Sequence, residues 1–232
     1  RDFIKDYIGP LFEESNMDTE IWLGTLNSPY DDYGDDNWQF GQYNNFANMI
    51  LSDKNARKYV SGVGYQWGGK HALLQTKIAY PEIKIIQTEN ECGEGKNSWE
   101  YAEYVFNLMW TYLMNGACAY VYWNMVLEEG GISTWGWKQN SLITITKDNS
   151  IYYNPEYYLM RHFSKYIRPG AVMKGLKGDF AGNALAFENP DGSIVLELLN
   201  PFDEDQEITF NLNEINYNFT VKPHSFNTLI LL

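Results

Sequence analysis

The 232 residues carry a formal charge of −13 and a pI near 4.6, which excludes a nucleic-acid backbone or an anionic membrane as partner, since either demands clustered Lys and Arg. Aromatic residues make up 16% of the chain, with 8 Trp and 18 Tyr, and such flat apolar faces with polar handles suit stacked sugar rings as well as ordinary cores. The length can bury a sizeable core, and only two cysteines exclude a disulfide-stapled miniprotein.

Apolar side chains at helical spacing over residues 2–12 predict that the chain opens inside a helix. A strand is expected over 21–26, followed by a turn-rich acidic stretch at 27–36 and a helical pattern from Trp38 to Leu51. The acidic run from Asp31 to Asp36 does not match a calcium loop and reads as a solvated rim. A strand over 59–67, a helix over 70–80 and a strand ending at Glu89 come next. The run from Ile83 to Ile86 is continuous and β-branched, as a strand buried on both faces should be.

Residues 99–114 form the clearest amphipathic helix, closed by Asn115 and Gly116 before a strand over 117–123. A last helix over 155–167 is capped by Asn154 with Pro155 in its first turn. Strand and helix alternating at this rhythm mean βα units and a parallel sheet of four strands. Past Arg168-Pro169-Gly170 the texture changes to short alternating runs, with a hairpin turn at 189–192, so a small antiparallel sandwich is expected. Its core is expected to hold Phe187, Phe202, Phe210 and Tyr217.

Cys92 and Cys118 read as two free thiols, Cys118 as a small buried hydrophobe and Cys92 as a support for its loop, with a single bridge as the alternative. His71, His162 and His224 are scattered without zinc-type spacing, so no metal or cofactor is expected.

Four parallel strands leave a closed barrel incomplete, because closure takes eight. Their carboxyl ends would converge on one pocket. These ends carry Asn27-Ser28-Pro29, then Gln66-Trp67-Gly68-Gly69, then Thr88-Glu89-Asn90-Glu91, then Trp123-Asn124-Met125. Carboxylates, amides and indoles are the parts of sugar chemistry: a nucleophile, hydroxyl partners and faces on which a pyranose rests.

Thr88-Glu89-Asn90-Glu91-Cys92-Gly93, the strand end Tyr122-Trp123-Asn124-Met125, Gly130-Gly131, Asn154-Pro155-Glu156-Tyr157 and His162-Phe163-Ser164-Lys165 together resemble glycoside hydrolase family 30, the family of glucosylceramidase and β-1,6-glucanases. The resemblance covers nearly the whole chain. It implies an α/β fold, with residues 1–168 as the C-terminal half of a TIM (β/α)8 barrel (strands five to eight) and 169–232 as a β-sandwich domain. It also implies a retaining β-glycosidase with Glu89 as nucleophile and Gln66, Trp67, Trp123, Asn124, Trp137 and Asn140 as substrate contacts. Gly68 departs from glucosylceramidase, which has a tyrosine there, and this argues against a ceramide-linked substrate.

The family's acid/base Glu sits in an Asn-Glu-Pro motif that this chain lacks, so the partner carboxylate is expected upstream of Arg1, on a missing N-terminal half in the same gene product or a companion chain. Glu91, Glu128 and Glu129 read as structural or rim acids. The substrate implied is a β-linked glucan or glucoside. Secretion, extracellular or periplasmic, is expected although no signal peptide or membrane span stands in the sequence. The alternative is a non-catalytic carbohydrate-binding protein stacking glycan on Trp67, Trp123, Trp135 and Trp137.

Overall fold

The computed structural model describes residues 1–27 and 46–231. Ser28, Pro29, the acidic run and the first part of the helical pattern from Trp38 lie outside the described residues. Two compact units emerge: Arg1–Glu91 with Thr111–Trp123, and Cys92–Trp110 with Asn124–Leu232.

The first unit opens with a π-helical turn, Ile4–Ile8, running into α1 (Gly9–Glu14). After β1 (Ile21–Leu26) come α2 (Phe46–Leu51), α3 (Lys54–Arg57), β2 (Val60–Gln66), a 3₁₀ turn at Trp67–Ala72, α4 (Leu73–Ala79) and β3 (Lys84–Glu89). Helix α5 (Trp99–Met114) begins in the second unit, returns to the first and hands over to β4 (Ala117–Tyr120), with Gly116 taking the left-handed φ of +94° that a C-cap requires. The sheet order is β1-β2-β3-β4, all parallel, as expected. Leu23, Val63, Tyr65 and Ile85 from the strands join Leu51 of α2, Leu73 of α4 and Tyr112 of α5 in one buried core.

Three expectations change here. On β3, Ile85 and Gln87 are buried, Ile86 is only partly so and Lys84 is exposed, so the strand alternates instead of being covered on both faces. Strand β4 stops at Tyr120, because side chains replace the ladder beyond it: Val121 N–H donates to Gln87 Oε1 (2.6 Å) and Trp123 N–H to Asn90 Oδ1 (2.6 Å). Cys118 is exposed rather than buried, lying on the edge strand of the sheet, and it is not joined to Cys92 in a disulfide.

The second unit holds a three-stranded sheet of β5 (Val126–Glu128), β6 (Ile143–Ile145) and β7 (Ile151–Tyr153), then α6 (Pro155–Tyr166). Asn154 does occupy the N-cap position with Pro155 following, but its side chain makes no capping bond and instead donates to Ser141 O (2.7 Å) and Thr144 Oγ1 (2.8 Å). Next come β8 (Val172–Lys174), β9 (Ala184–Glu188), β10 (Ile194–Asn200), β11 (Gln206–Leu212), β12 (Ile215–Val221) and β13 (Ser225–Leu231). The order β13-β10-β9-β8 forms an antiparallel sheet and β11-β12 a second one. Ala184, Ala186, Leu196 and Leu198 of the first sheet pack with Phe210 and Phe219 of the second, which makes the expected sandwich. Phe187 is buried, but against Phe163 of α6 and not between the sheets, and Phe202 is half exposed at an edge-on contact with Phe180, so neither belongs to the sandwich core.

On the other face of the larger sheet, α6 packs through Phe163 against Phe187 and Phe106, and Phe226 is wedged beside Phe106 and Trp99. The hairpin turn is tied to the end of α6 by buried Asn189, whose Oδ1 accepts from Arg168 N (2.9 Å) and whose Nδ2 donates to Tyr166 O (3.0 Å).

A carboxylate is also buried in this packing. Glu197 of β10 is 1% exposed and accepts the Thr228 hydroxyl at 2.6 Å, while His162 Nδ1 of α6 lies 2.7 Å from the same hydroxyl and 3.8 Å from the carboxylate. Burial pushes the Glu197 carboxyl up to about 8, and burial followed by the charge of Arg161 holds His162 below its usual value. Both shifts favour neutral forms, so the contact is a hydrogen-bonded chain and not an ion pair.

Candidate active site

Pairing between β2 and β3 steps from Tyr65↔Gln87 to Gln66↔Glu89, which makes Thr88 an extra residue on β3. A bulge of this kind re-aims the side chain that follows it. Without it Glu89 would share the parity of Ile85 and Gln87 and point into the buried core. With it, Glu89 stands opposite Gln66 at the carboxyl ends of both strands. Thr88 fixes the bulge by donating to Tyr65 O (3.2 Å) and by bonding the Thr25 hydroxyl of β1 at 2.8 Å.

Trp67 brings its indole to this carboxylate: Nε1–H donates to Glu89 Oε1 at 3.0 Å, and both groups are partly buried. The residue pays for that placement in backbone conformation, with φ of +44°, a region in which a bulky side chain is an outlier. Outliers of this type concentrate at functional sites. The following peptide is held by Gly68 N–H donating to Asn27 Oδ1 (3.2 Å). Glu91, two residues past Glu89, is bonded to Lys70 Nζ at 2.9 Å, and the same ammonium donates to Trp67 O at 3.2 Å. Glu91 is therefore an ion-pair partner, as its reading as a structural acid anticipates.

Asn90 is fully buried between the two carboxylates in sequence and clamps the site from behind, its Nδ2 donating to Glu91 O (2.7 Å) and its Oδ1 accepting from Trp123 N (2.6 Å). Nothing in the spacing of Asn90 separates such a clamp from a strand-end amide open to a hydroxyl; its burial does. Trp123 itself is 43% exposed.

Asn124, Trp137 and Asn140 belong to the second unit. Asn124 pairs with the chain at 140 and 142, through its backbone N–H to Asn140 O (3.4 Å) and its carbonyl from Leu142 N (2.9 Å). Asn140 corrects its expected role as a substrate contact. Its side chain is 1% exposed and both ends are bonded within the protein: Nδ2 donates to Glu156 Oε1 (2.7 Å), and Oδ1 accepts from Gly95 N (2.8 Å). It is a bracket for the 92–97 loop. Gly93 belongs to that bracket, since its φ is +69° and a Cβ there would lie 2.6 Å from Asn140 Cγ.

Residues 131–139 form a small hairpin, closed by Gln139 N–H to Gly131 O (2.8 Å) and Ser133 N–H to Trp137 O (2.8 Å). Its tip carries Trp135 (77% exposed) and Trp137 (51%), with ring centroids 5.7 Å apart and planes 31° from parallel. Such an open aromatic pair presents flat apolar faces with polar N–H edges to solvent. Glu128 and Glu129 are exposed nearby in sequence, in keeping with rim acids.

A carboxylate lifted to the end of a parallel α/β sheet, an indole fixed on it and a β-sandwich in the same chain define a glycoside hydrolase architecture. The chain belongs to glycosyl hydrolase family 30: the family's TIM-barrel domain matches residues 1–167 and its β-sandwich domain residues 182–229. Its relatives include mouse lysosomal acid glucosylceramidase, 26% identical over 249 residues, covering 99% of this chain and 46% of that protein. Another is the endo-1,6-β-D-glucanase neg1 of Aspergillus fumigatus, 25% identical over 228 residues, covering 90% of this chain and 42% of the relative. Among solved structures, the endo-β1,6-glucanase BT3312 superposes with a TM-score of 0.79 at 25% identity, covering 98% of this chain and 51% of that one. The chain thus spans about half the length of the relatives it matches.

Proposed function

We propose that the chain is the nucleophile-bearing part of a retaining β-glycoside hydrolase acting on a β-linked glucan or glucoside. In this reading residues 1–168 belong to the barrel and 169–232 to the sandwich. The observation that carries it is Glu89, aimed out of the sheet by the Thr88 bulge and held through Oε1 by the Trp67 indole.

In the first step Glu89 attacks the anomeric carbon, the glycosidic C–O bond breaks, and the leaving oxygen takes a proton from a second carboxylic acid. In the second, that group removes a proton from water, the water oxygen bonds the anomeric carbon, and Glu89 leaves as carboxylate. The acid/base is supplied by the part of the family's length that this chain does not span, on the same polypeptide or a companion. The Trp67 N–H fixes the orientation of the attacking group. A charge-assisted bond of this kind contributes on the order of 1.5–3 kcal/mol.

Gln66, Trp67 and Trp123, with Asn124 and Trp137 by resemblance, are the proposed sugar contacts. Relatives named as a glucosylceramidase and an endo-1,6-β-D-glucanase support a β-glucosidic substrate. Gly68 in place of glucosylceramidase's tyrosine favours the glucan. The same reading makes the protein a secreted glycosidase.

In the full-length protein, Glu89→Gln should abolish turnover of an aryl β-glucoside and prevent covalent trapping by a 2-fluoro sugar. Unchanged trapping would reject Glu89 as nucleophile. The exposed pair Trp135 and Trp137 favours one other reading, a non-catalytic carbohydrate-binding protein, which predicts β-glucan affinity with no turnover that depends on Glu89.

A further inference from the structure

We propose that Lys70 is a positioning residue that locks Trp67 onto the nucleophile; this rests on Glu89 being that nucleophile. Lys70 lies in the 3₁₀ turn that starts at Trp67, so its side chain folds back over the turn's first carbonyl. Its ammonium has two acceptors from different strand ends: Trp67 O at 3.2 Å, beyond β2, and Glu91 Oε1 at 2.9 Å, beyond β3. About a fifth of each charged side chain is exposed (23% and 21%), so water competes little for this ion pair.

These contacts close a circuit. Trp67 Nε1 reaches Glu89, the backbone runs from Glu89 to Glu91, Glu91 holds Lys70, and Lys70 returns to the carbonyl of Trp67. The circuit accounts for the left-handed Trp67, a conformation that persists only where the surroundings over-determine it. The cation on its carbonyl supplies one constraint and the carboxylate on its indole the other. Lys70 also matches the charge of Glu91, leaving Glu89 as the carboxylate not bound to an ammonium in this circuit. A neutral residue at position 70 would release both the Trp67 carbonyl and the Glu91 carboxylate from their shared cation.

The test reads the indole directly. In ¹⁵N-labelled protein, the Trp67 Nε1–H signal, assigned by its loss in Trp67→Phe, should exchange with solvent roughly tenfold faster or more in Lys70→Met and at the native rate in Lys70→Arg. Glu91→Gln, which frees Lys70 from the other side, should shift exchange in the same direction and stands in if Lys70→Met does not fold. In the full-length hydrolase, Lys70→Met should lower kcat about 10- to 100-fold with KM little changed, and Lys70→Arg should restore most of it. Native indole exchange in both Lys70→Met and Glu91→Gln would overturn the proposal, as would a native kcat in Lys70→Met. If turnover instead survives Glu89→Gln, the nucleophile assignment is what fails, while the exchange experiment still decides whether Lys70 holds Trp67.

Discussion

Replacing Glu197 by Gln should stabilise the protein at neutral and alkaline pH and change little in acid. The carboxyl is 1% exposed, bonded by the Thr228 hydroxyl, and its burial raises it from 4.5 to about 8. The folded protein therefore keeps a proton that the unfolded chain gives up. Between about pH 4.5 and 8 each added unit costs roughly 1.4 kcal/mol of stability, and the whole interval amounts to roughly 5 kcal/mol. Glutamine has nothing to ionise and still offers an oxygen to Thr228.

Urea denaturation followed by tryptophan fluorescence at intervals from pH 4 to 9 measures the difference between variant and wild type. His162, held low by burial, acts in the opposite sense, with stability falling as pH drops below about 6.5, but it is present in both proteins and cancels. The expected gap is near zero at pH 4 and grows through pH 8 to several kcal/mol in favour of the variant. Parallel curves from pH 5 to 8 would show that Glu197 is ionised in the fold, and the reasoning from its burial would be wrong.

Asn140→Ala should cost about 2–4 kcal/mol, since it strips a partner from buried Glu156 and from the Gly95 N–H at once; a loss below about 1 kcal/mol in chemical denaturation would contradict the bracket. His224 should act as an acid-favoured latch. Its Nε2 meets Asp203 at 3.0 Å and its Nδ1 meets Glu103 at 2.9 Å, and these bonds, Asp203 first, raise its pKa. Its stabilisation is full below about pH 6.5 and is lost as pH rises through the raised value, so the Tm deficit of His224→Ala should be largest near pH 6 and shrink toward pH 9. A deficit independent of pH would assign the residue a packing role only.

Much of this architecture can be read along the chain. Helix α5 falls on its expected residues because sixteen positions of amphipathic pattern leave little freedom, and β1 does so because apolar and β-branched residues on either side of Gly24 end in a turn signal. The short strands β5 to β8 escape notice, since three residues are too few to display a period. Cys118 and Phe202 look like core by composition, yet exposure depends on which strand lies at an edge and which loop meets the sheet.

In the site, Glu89 and Trp67 can be nominated from strand-end logic, but their hydrogen bond depends on a register shift between strands more than twenty residues apart. Lys70 and Asn90 carry no local signal, because their partners are fixed only by tertiary pairing. Asn140 sits in a suggestive loop, and only its burial distinguishes a bracket from a ligand contact.

The bulge at Thr88 also makes the placement of the carboxylate a matter of counting. Chemical identity at position 89 is not sufficient: the residue must follow an odd insertion in the ladder. Two homologous strands could carry the same Thr-Glu pair in the same aligned column and aim opposite ways if one lacked the extra residue. For this family, a gap drawn one position early or late beside that glutamate would exchange a core-facing residue for a pocket-facing one. Strand-pairing tables are therefore a better guide to functional equivalence here than letter-by-letter alignment.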